Sequence, residues 1–320
     1  MRELSYPKNK INVLLLEKVD KIAFDLFKEE GYNVESLDGS LNEKDLIKKI
    51  KDVSILGIRS KTIISDKVIK SANKLLAIGA FCIGTNQIKF ESCNDSGIVV
   101  FNAPYSNTRS VVEIVIAQII NLMRKIVIKS NKMHSGVWRK DSLDSFEIRN
   151  KVIGIVGYGN IGSQLSVICE ALGMKVLYYD ILDKLSIGNA KKCKSLNELL
   201  KNSDIVSLHV DGKKSNTNLI SDKEFSIMKE KSILVNYSRG NVVDIDSLIK
   251  NIKSKKLMGA ALDVFPEEPS NNKEKFKSKV KGIEEIILSP HIGGSTKEAQ
   301  KNLGSYVPDK IIDFINSGNT

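Results

Sequence analysis

Of the three histidines and seven arginines in this chain of 320 residues, one of each stands just behind a short apolar run, with a carboxylate between them in the sequence. Arg239 follows the run 233–236 in Asn236-Tyr237-Ser238-Arg239-Gly240. Glu268 closes Asp263-Val264-Phe265-Pro266-Glu267-Glu268, and His291 follows the run 285–288 in Ser289-Pro290-His291-Ile292-Gly293-Gly294. Oxidising a secondary alcohol next to a carboxylate needs a base for the hydroxyl proton, an acceptor for hydride, and a cation for the carboxylate and the developing carbonyl. His291 can take the proton, Glu268 can orient its other ring nitrogen and favour the imidazolium, and Arg239 can clamp the carboxylate with a planar donor fork. Each residue alone has a plainer reading, as a structural histidine, the end of a turn or a surface arginine. Their succession at strand ends favours the chemical one.

A hydride acceptor is implied upstream. The buried-strand pattern 152–156 runs directly into Gly157-Tyr158-Gly159-Asn160-Ile161-Gly162, and a helical segment, 163–172, follows. Gly157 permits a tight turn, Gly159 lets a pyrophosphate approach the backbone, and Gly162 allows the helix to pack closely on the strand. Glycine spacing of this kind also arises by chance, so the deciding residue is Asp180, which ends the next strand, 176–179. Its carboxylate would accept from ribose hydroxyls and repel a 2′-phosphate, and no arginine follows to compensate, which selects NAD over NADP.

These residues need an α/β scaffold. Short β-branched runs alternate with longer amphipathic segments along the whole chain, as when parallel strands are joined by helices. Strands are expected at 13–16, 53–58, 75–78 and 98–101, with a helix at 21–30, and then a long apolar helix at 108–128. Six more strands are expected at 152–156, 175–179, 205–208, 233–236, 259–263 and 285–288, the number of a full dinucleotide-binding sheet. A last amphipathic helix, 296–315, cannot form a domain alone and is expected to return to the first one. The expected architecture is therefore a Rossmann dinucleotide-binding domain, 107–291, inserted in a smaller flavodoxin-like substrate-binding domain made of 1–106 and 292–320.

Composition narrows the function classes. Lys and Arg exceed Asp and Glu by 49 to 38, but the basic residues are interspersed with acidic ones and lack a run or an aromatic stacking motif, which argues against nucleic acid. Cys82, Cys93, Cys169 and Cys193 have neither metal-ligand nor disulfide-framework spacing, so no metal is expected. No apolar run approaches bilayer length, and residues 1–10 lack the apolar stretch of a secretory signal, so a cytoplasmic location is expected without a membrane partner. The Lys-rich stretch 271–281 reads as an exposed loop.

The 157–162 loop and the segments 236–240, 263–269 and 289–296 resemble the signatures of the D-isomer-specific 2-hydroxyacid dehydrogenases, and the resemblance covers essentially the whole chain. Ile58-Arg59-Ser60-Lys61-Thr62, Ile78-Gly79-Ala80-Phe81-Cys82-Ile83-Gly84-Thr85-Asn86-Gln87 and the segment 100–110 resemble the branch that oxidises 3-phospho-D-glycerate. The resemblance implies that Arg239, Glu268 and His291 are catalytic. It adds Asn160, Ile161, Tyr237, Ser238 and Asp263 to Gly157, Gly159, Gly162 and Asp180 as cofactor contacts, Asp263 holding the nicotinamide carboxamide. It places Arg59 and Ser60 at the substrate phosphate, amides near Ile83 and Gly84 at its carboxylate, and Asn107 among the substrate contacts.

The implied activity is NAD-dependent oxidation of 3-phospho-D-glycerate to 3-phosphohydroxypyruvate, opening L-serine biosynthesis, with 2-oxoglutarate reduction beside it. A glyoxylate or hydroxypyruvate reductase, or another D-2-hydroxyacid dehydrogenase, stays open, as does an NAD(H)-sensing scaffold from a different class. A homo-oligomer, a tetramer, is expected. So is a short form without the C-terminal ACT domain of long family members, and hence without inhibition by serine. Tyr237 stands where a small residue is usual, and Asp211-Gly212-Lys213 lacks a common proline, so a differently shaped cofactor pocket is expected.

Overall fold

The computed structural model describes residues 6–269 and 273–318; residues 1–5 of the N-terminal segment and Asn271 and Asn272 of the Lys-rich stretch lie outside the described residues. The chain divides into two units, Met1–Asn107 with Ser295–Thr320 and Thr108–Gly294.

In the first unit five parallel strands, β1 (Asn12–Leu15), β2 (Asn33–Ser36), β3 (Ile55–Ile58), β4 (Ala77–Ala80) and β5 (Val99–Asn102), lie in the order β2-β1-β3-β4-β5. This is the flavodoxin-like order. Strand β2 is not apparent in the sequence because Asn-Val-Glu-Ser lies at a largely exposed edge and carries no apolar run. Strand β4 begins and ends two residues later than 75–78 because its third residue, Gly79, looks like a strand terminator. A Cβ there would come within 2.7 Å of Val307 and 2.9 Å of Ile311, side chains of the helix Lys297–Ser317. Glycine thus lets that helix rest directly on the sheet. Leu303, Val307 and Ile311 join Phe27, Phe81 and Leu15 in one core cluster.

The second unit holds seven parallel strands, β6 (Val152–Val156), β7 (Lys175–Tyr179), β8 (Lys191–Lys192), β9 (Ile205–Leu208), β10 (Ser232–Asn236), β11 (Leu257–Leu262) and β12 (Ile286–Leu288), ordered β12-β11-β10-β9-β6-β7-β8. Six correspond to the expected ones. The seventh, β8, is a two-residue Lys-Lys edge with no apolar signature. Both faces of the sheet are covered, which explains the unbroken apolar runs. Ile233 and Val235 of β10 enter one core cluster and Leu234, between them, enters the other.

The helix expected over 108–128 is two helices, Thr108–Arg124 and Ile126–His134, separated by Lys125 in the left-handed region (φ 52). The Lys125 ammonium pairs with Asp144 at 3.1 Å and Phe146 N–H donates to the Met123 carbonyl at 2.8 Å, so the returning chain holds the break. Among the described residues no helix is long and apolar enough to cross a membrane.

Candidate active site

Every expected residue of the second unit lies at or beyond the carboxyl end of a parallel strand, where open α/β sheets collect ligands. Gly157 follows β6, Asp180 follows β7, Arg239 follows β10, Asp263 follows β11 and His291 follows β12. Strands β6 and β9 are neighbours, and the chain turns outward from them in opposite directions, which makes their gap the topological switch point.

The 157–162 loop has the shape an NAD pyrophosphate requires. Gly157 sits at φ 92, and a Cβ there would collide with the His209 carbonyl; one at Gly162 would collide with the Gly157 carbonyl. At Gly159, by contrast, a Cβ would meet nothing within 4 Å. Gly159 caps the helix Asn160–Ala171 without a side-chain hydrogen bond, so the first-turn amides of Asn160 and Ile161 form an uncapped, positively polarised end. Asp180 accepts from Tyr158 N–H at 2.7 Å on one oxygen and from Leu182 N–H at 2.8 Å on the other, which fixes the carboxylate while each oxygen keeps a lone pair for a hydroxyl. These residues fit NAD, with the helix end for the pyrophosphate and Asp180 for the ribose.

Around the expected chemistry the structure joins His291 to Glu268: ring Nδ1 and Oε2 are 2.7 Å apart. Oε1 of Glu268 accepts from Phe265 N–H at 3.0 Å, so the carboxylate is held on both sides and the His291 ring presents Nε2 outward. The ring is half accessible, with 51% of its side-chain surface exposed, which a group acting on a ligand requires. His291 is itself in the left-handed region (φ 54). That turn is secured by Asp263, 2% exposed, whose oxygens accept from Ile292 N–H at 2.9 Å, Gly293 N–H at 2.7 Å and Ser289 Oγ at 2.6 Å. Asp263 therefore anchors the loop that carries the imidazole, and three of its roughly four lone-pair positions are taken.

Arg239 arrives from the neighbouring strand. Its loop is pressed against the chain before Glu268, because a Cβ on Gly240 would collide with the Phe265 carbonyl. Asn236 Nδ2 donates to the Arg239 carbonyl at 3.0 Å, and Arg239 Nη1 donates to the Ser238 carbonyl at 2.7 Å, leaving the rest of the fork available. Ser238 is buried and bonded to Asn236 through both its amide and its hydroxyl.

Tyr237, expected among the cofactor contacts and to change the shape of that pocket, is 6% exposed. Its side chain lies within the core cluster and its hydroxyl is 3.0 Å from Ser289 Oγ, so the bulk is absorbed inside the unit and burial pushes the phenol up to about 12. The 211–216 loop, which lacks a proline, is held by Asp211. Asp211 accepts from Lys213 N–H at 3.2 Å and from Asn216 Nδ2 at 2.8 Å.

Electrostatics separate His291 from the other histidines. The hydrogen bond to Glu268 raises its pKa above the ordinary value against the effect of burial, with the Glu268 and Asp263 charges assisting and Arg239 opposing. Burial works to raise the Glu268 carboxyl, but His291, the Phe265 amide and Arg239 outweigh it and hold it below the usual range. His209 is the opposite case: burial drops it to about 4, so its ring is neutral at pH 7. His134 ends an exposed helix. Among the described residues, His291 is the one histidine bonded to a carboxylate.

Glu268→Gln should therefore lower the His291 pKa. Neutral imidazole is the proton-accepting form, so the rising limb of the pH profile for alcohol oxidation should move to lower pH, and carbonyl reduction, which needs the imidazolium, should lose activity at its alkaline edge. Profiles of kcat/KM in both directions check this, and an unmoved limb would contradict the assignment.

The remaining expected residues belong to the first unit: Arg59 and Ser60 follow β3, Ile83 and Gly84 follow its neighbour β4, and Asn107 follows β5. Arg59 is half-buried and Ser60 exposed, and among the described residues neither side chain has a hydrogen-bond or ion-pair partner. Ile83 and Gly84 lie in the second loop, where Asn102 Nδ2 holds the Ile83 carbonyl at 2.8 Å. Asn107 has a buried Oδ1 without a partner among the described residues. Sequence reasoning missed Ser289, whose hydroxyl donates to Asp263, and the buried carboxylate of Glu17, which accepts from the Lys61 and Thr62 amides. Glu17 had a visible signal, an ionisable residue directly after the apolar run Leu14-Leu15-Leu16.

Residues 116–293 match the family model for the D-isomer specific 2-hydroxyacid dehydrogenase, NAD binding domain. D-3-phosphoglycerate dehydrogenase of Dictyostelium discoideum is 50% identical over 314 residues, which cover 98% of this chain and 77% of that protein. The protein of the same name from Escherichia coli (strain K12) is 47% identical over 321 residues, covering 100% of this chain and 78% of that one. Among solved structures, D-lactate dehydrogenase with NAD+ from Lactobacillus jensenii is similar with a TM-score of 0.81 at 27% identity, covering 97% of this chain and 98% of that chain. With the glycine loop, Asp180 and the His291–Glu268 pair in place, these likenesses lead to one conclusion: the chain belongs to the D-isomer specific 2-hydroxyacid dehydrogenase family.

Proposed function

We propose that the chain oxidises 3-phospho-D-glycerate to 3-phosphohydroxypyruvate with NAD, the step that opens L-serine synthesis, and reduces 2-oxoglutarate as a second keto acid. The observation that carries this reading is the 2.7 Å contact between His291 Nδ1 and Glu268 beside the Arg239 loop. His291 Nε2 takes the hydroxyl proton, while Glu268 stabilises the imidazolium that results. Arg239 holds the carboxylate and offers donors to the oxygen that becomes a carbonyl. The 157–162 loop and Asp180 would hold NAD, which would supply the acceptor for the hydride of the carbinol carbon. Arg59 and Ser60 take the phosphate, and the amides near Ile83 and Gly84, with Asn107, take up the carboxylate end.

NADH formation from 3-phosphoglycerate at alkaline pH, with D-lactate and D-glycerate as comparisons, tests the substrate. Arg59→Ala is expected to reduce kcat/KM for 3-phosphoglycerate by about 10–100-fold, as loss of a charge-assisted phosphate contact does, and to affect D-glycerate much less. Equal losses on both would favour a glyoxylate or hydroxypyruvate reductase. NADH binding without turnover of any 2-hydroxy acid would favour a scaffold. The same reading carries a cytoplasmic location and a homotetramer, which light scattering after size exclusion checks.

A further inference from the structure

Separated from β1 by one residue come Glu17 and Lys18, consecutive non-glycine residues in the left-handed region (φ 65 and 53). Their amides donate to the carbonyls of Gly39 and Leu37 at 3.1 and 3.3 Å, which pins the turn and leaves Glu17 only 8% exposed. Both oxygens of this buried side chain go to one loop. Oε2 accepts from Lys61 N–H at 2.9 Å and Oε1 from Thr62 N–H at 2.7 Å.

The other side of that loop is tied as well. Gln87 Nε2 donates to the Arg59 carbonyl at 2.7 Å, and the Gln87 carbonyl accepts from Ile64 N–H at 2.8 Å. Backbone groups on both sides of Ser60 are therefore clamped, whereas the Arg59 and Ser60 side chains are left without partners among the described residues. A buried carboxylate is tolerated only when its oxygens are hydrogen-bonded, and paired charge-assisted bonds of this kind fix geometry more tightly than neutral ones. Glu17 also occupies the two amides that would otherwise compete for an anion, which directs the anion to the guanidinium and hydroxyl.

We propose that Glu17 is a positioning residue for recognition of a phosphate monoester: it orients the Arg59–Ser60 backbone from one side as Gln87 does from the other. This rests on the phosphate role of Arg59 proposed above. Glu17→Gln keeps the shape but replaces one acceptor oxygen with an NH2 group facing an N–H, so one loop amide loses its partner. The KM for 3-phosphoglycerate should rise about tenfold, more than any change in kcat, with smaller changes in the KM for D-glycerate and in NADH affinity. Added to Arg59→Ala, the same substitution should raise the 3-phosphoglycerate KM little further, because both act through one contact.

Equal effects on both acids and on NADH, or an unchanged 3-phosphoglycerate KM where Arg59→Ala still acts selectively, would overturn the role of Glu17 alone. A nonselective Arg59→Ala would remove the phosphate reading itself. If Glu17→Gln does not fold, Gln87→Leu carries the test, with the same selective rise expected and an even or absent effect contradicting it.

Discussion

His291→Ala should lower kcat for 2-hydroxy acid oxidation by about 10²–10⁴-fold, the usual worth of a positioned general base, and leave NADH affinity nearly unchanged. The ring is tied to Glu268 at Nδ1, and its loop is anchored by Asp263, which remains when the imidazole is removed. A loss of that size is about 3–5 kcal/mol of transition-state stabilisation, far more than one half-exposed side chain contributes to folding. Steady-state kinetics combined with NADH fluorescence titration separate the two effects. A parallel loss of NADH binding would mean that the residue supports the cofactor loop and not the proton transfer.

The second large effect belongs to Arg239. Arg239→Ala should reduce kcat/KM by about 10²–10³-fold, since in the proposed function it removes both the carboxylate clamp and a donor to the developing carbonyl oxygen. Arg239→Lys should restore only part of this, because an ammonium cannot present two parallel donors from one plane. A pH measurement adds a second check. Arg239 opposes protonation of His291, so its removal should raise the His291 pKa and move the oxidation limb to higher pH, opposite to Glu268→Gln. If the two variants shifted the limb the same way, the three side chains would not form one electrostatic unit.

Legibility in the sequence followed how local each cause is. The 157–162 loop could be read because part of its demand is local, the positive φ of Gly157 and the Gly157 carbonyl that faces Gly162, although the His209 carbonyl that also excludes a side chain at Gly157 comes from far along the chain. Strands β9 to β12 could be read because a sheet covered on both faces writes continuous apolar runs. Edges such as β2 and β8 carry no such mark. The break at Lys125 was hidden for another reason: lysine has no preference for the left-handed region, and Asp144, which pairs with it, lies 19 residues on.

The candidate site divides in the same way. Residue type suggested His291, Glu268 and Arg239, but the anchoring of the His291 loop by Asp263 is a contact across 29 and 30 residues that nothing local announces. Tyr237 shows the converse. Its size at a small-residue position suggested a changed cofactor pocket, and only the path of its side chain into the core, toward Ser289, shows where the volume goes.

The helix Lys297–Ser317, seated on Gly79, gives the protein a particular history on the ribosome. Its Leu303, Val307 and Ile311 each contribute roughly 1.5–3 kcal/mol of burial, a sum comparable to the net stability of a whole domain. None of this is available until Thr108–Gly294 has been synthesised, an interval of roughly 10–40 s at about 5–20 residues per second. Throughout that time Leu15 and Phe81 have Phe27 as a partner in their cluster but lack Leu303, Val307 and Ile311, so this core is completed only by the last helix to be made.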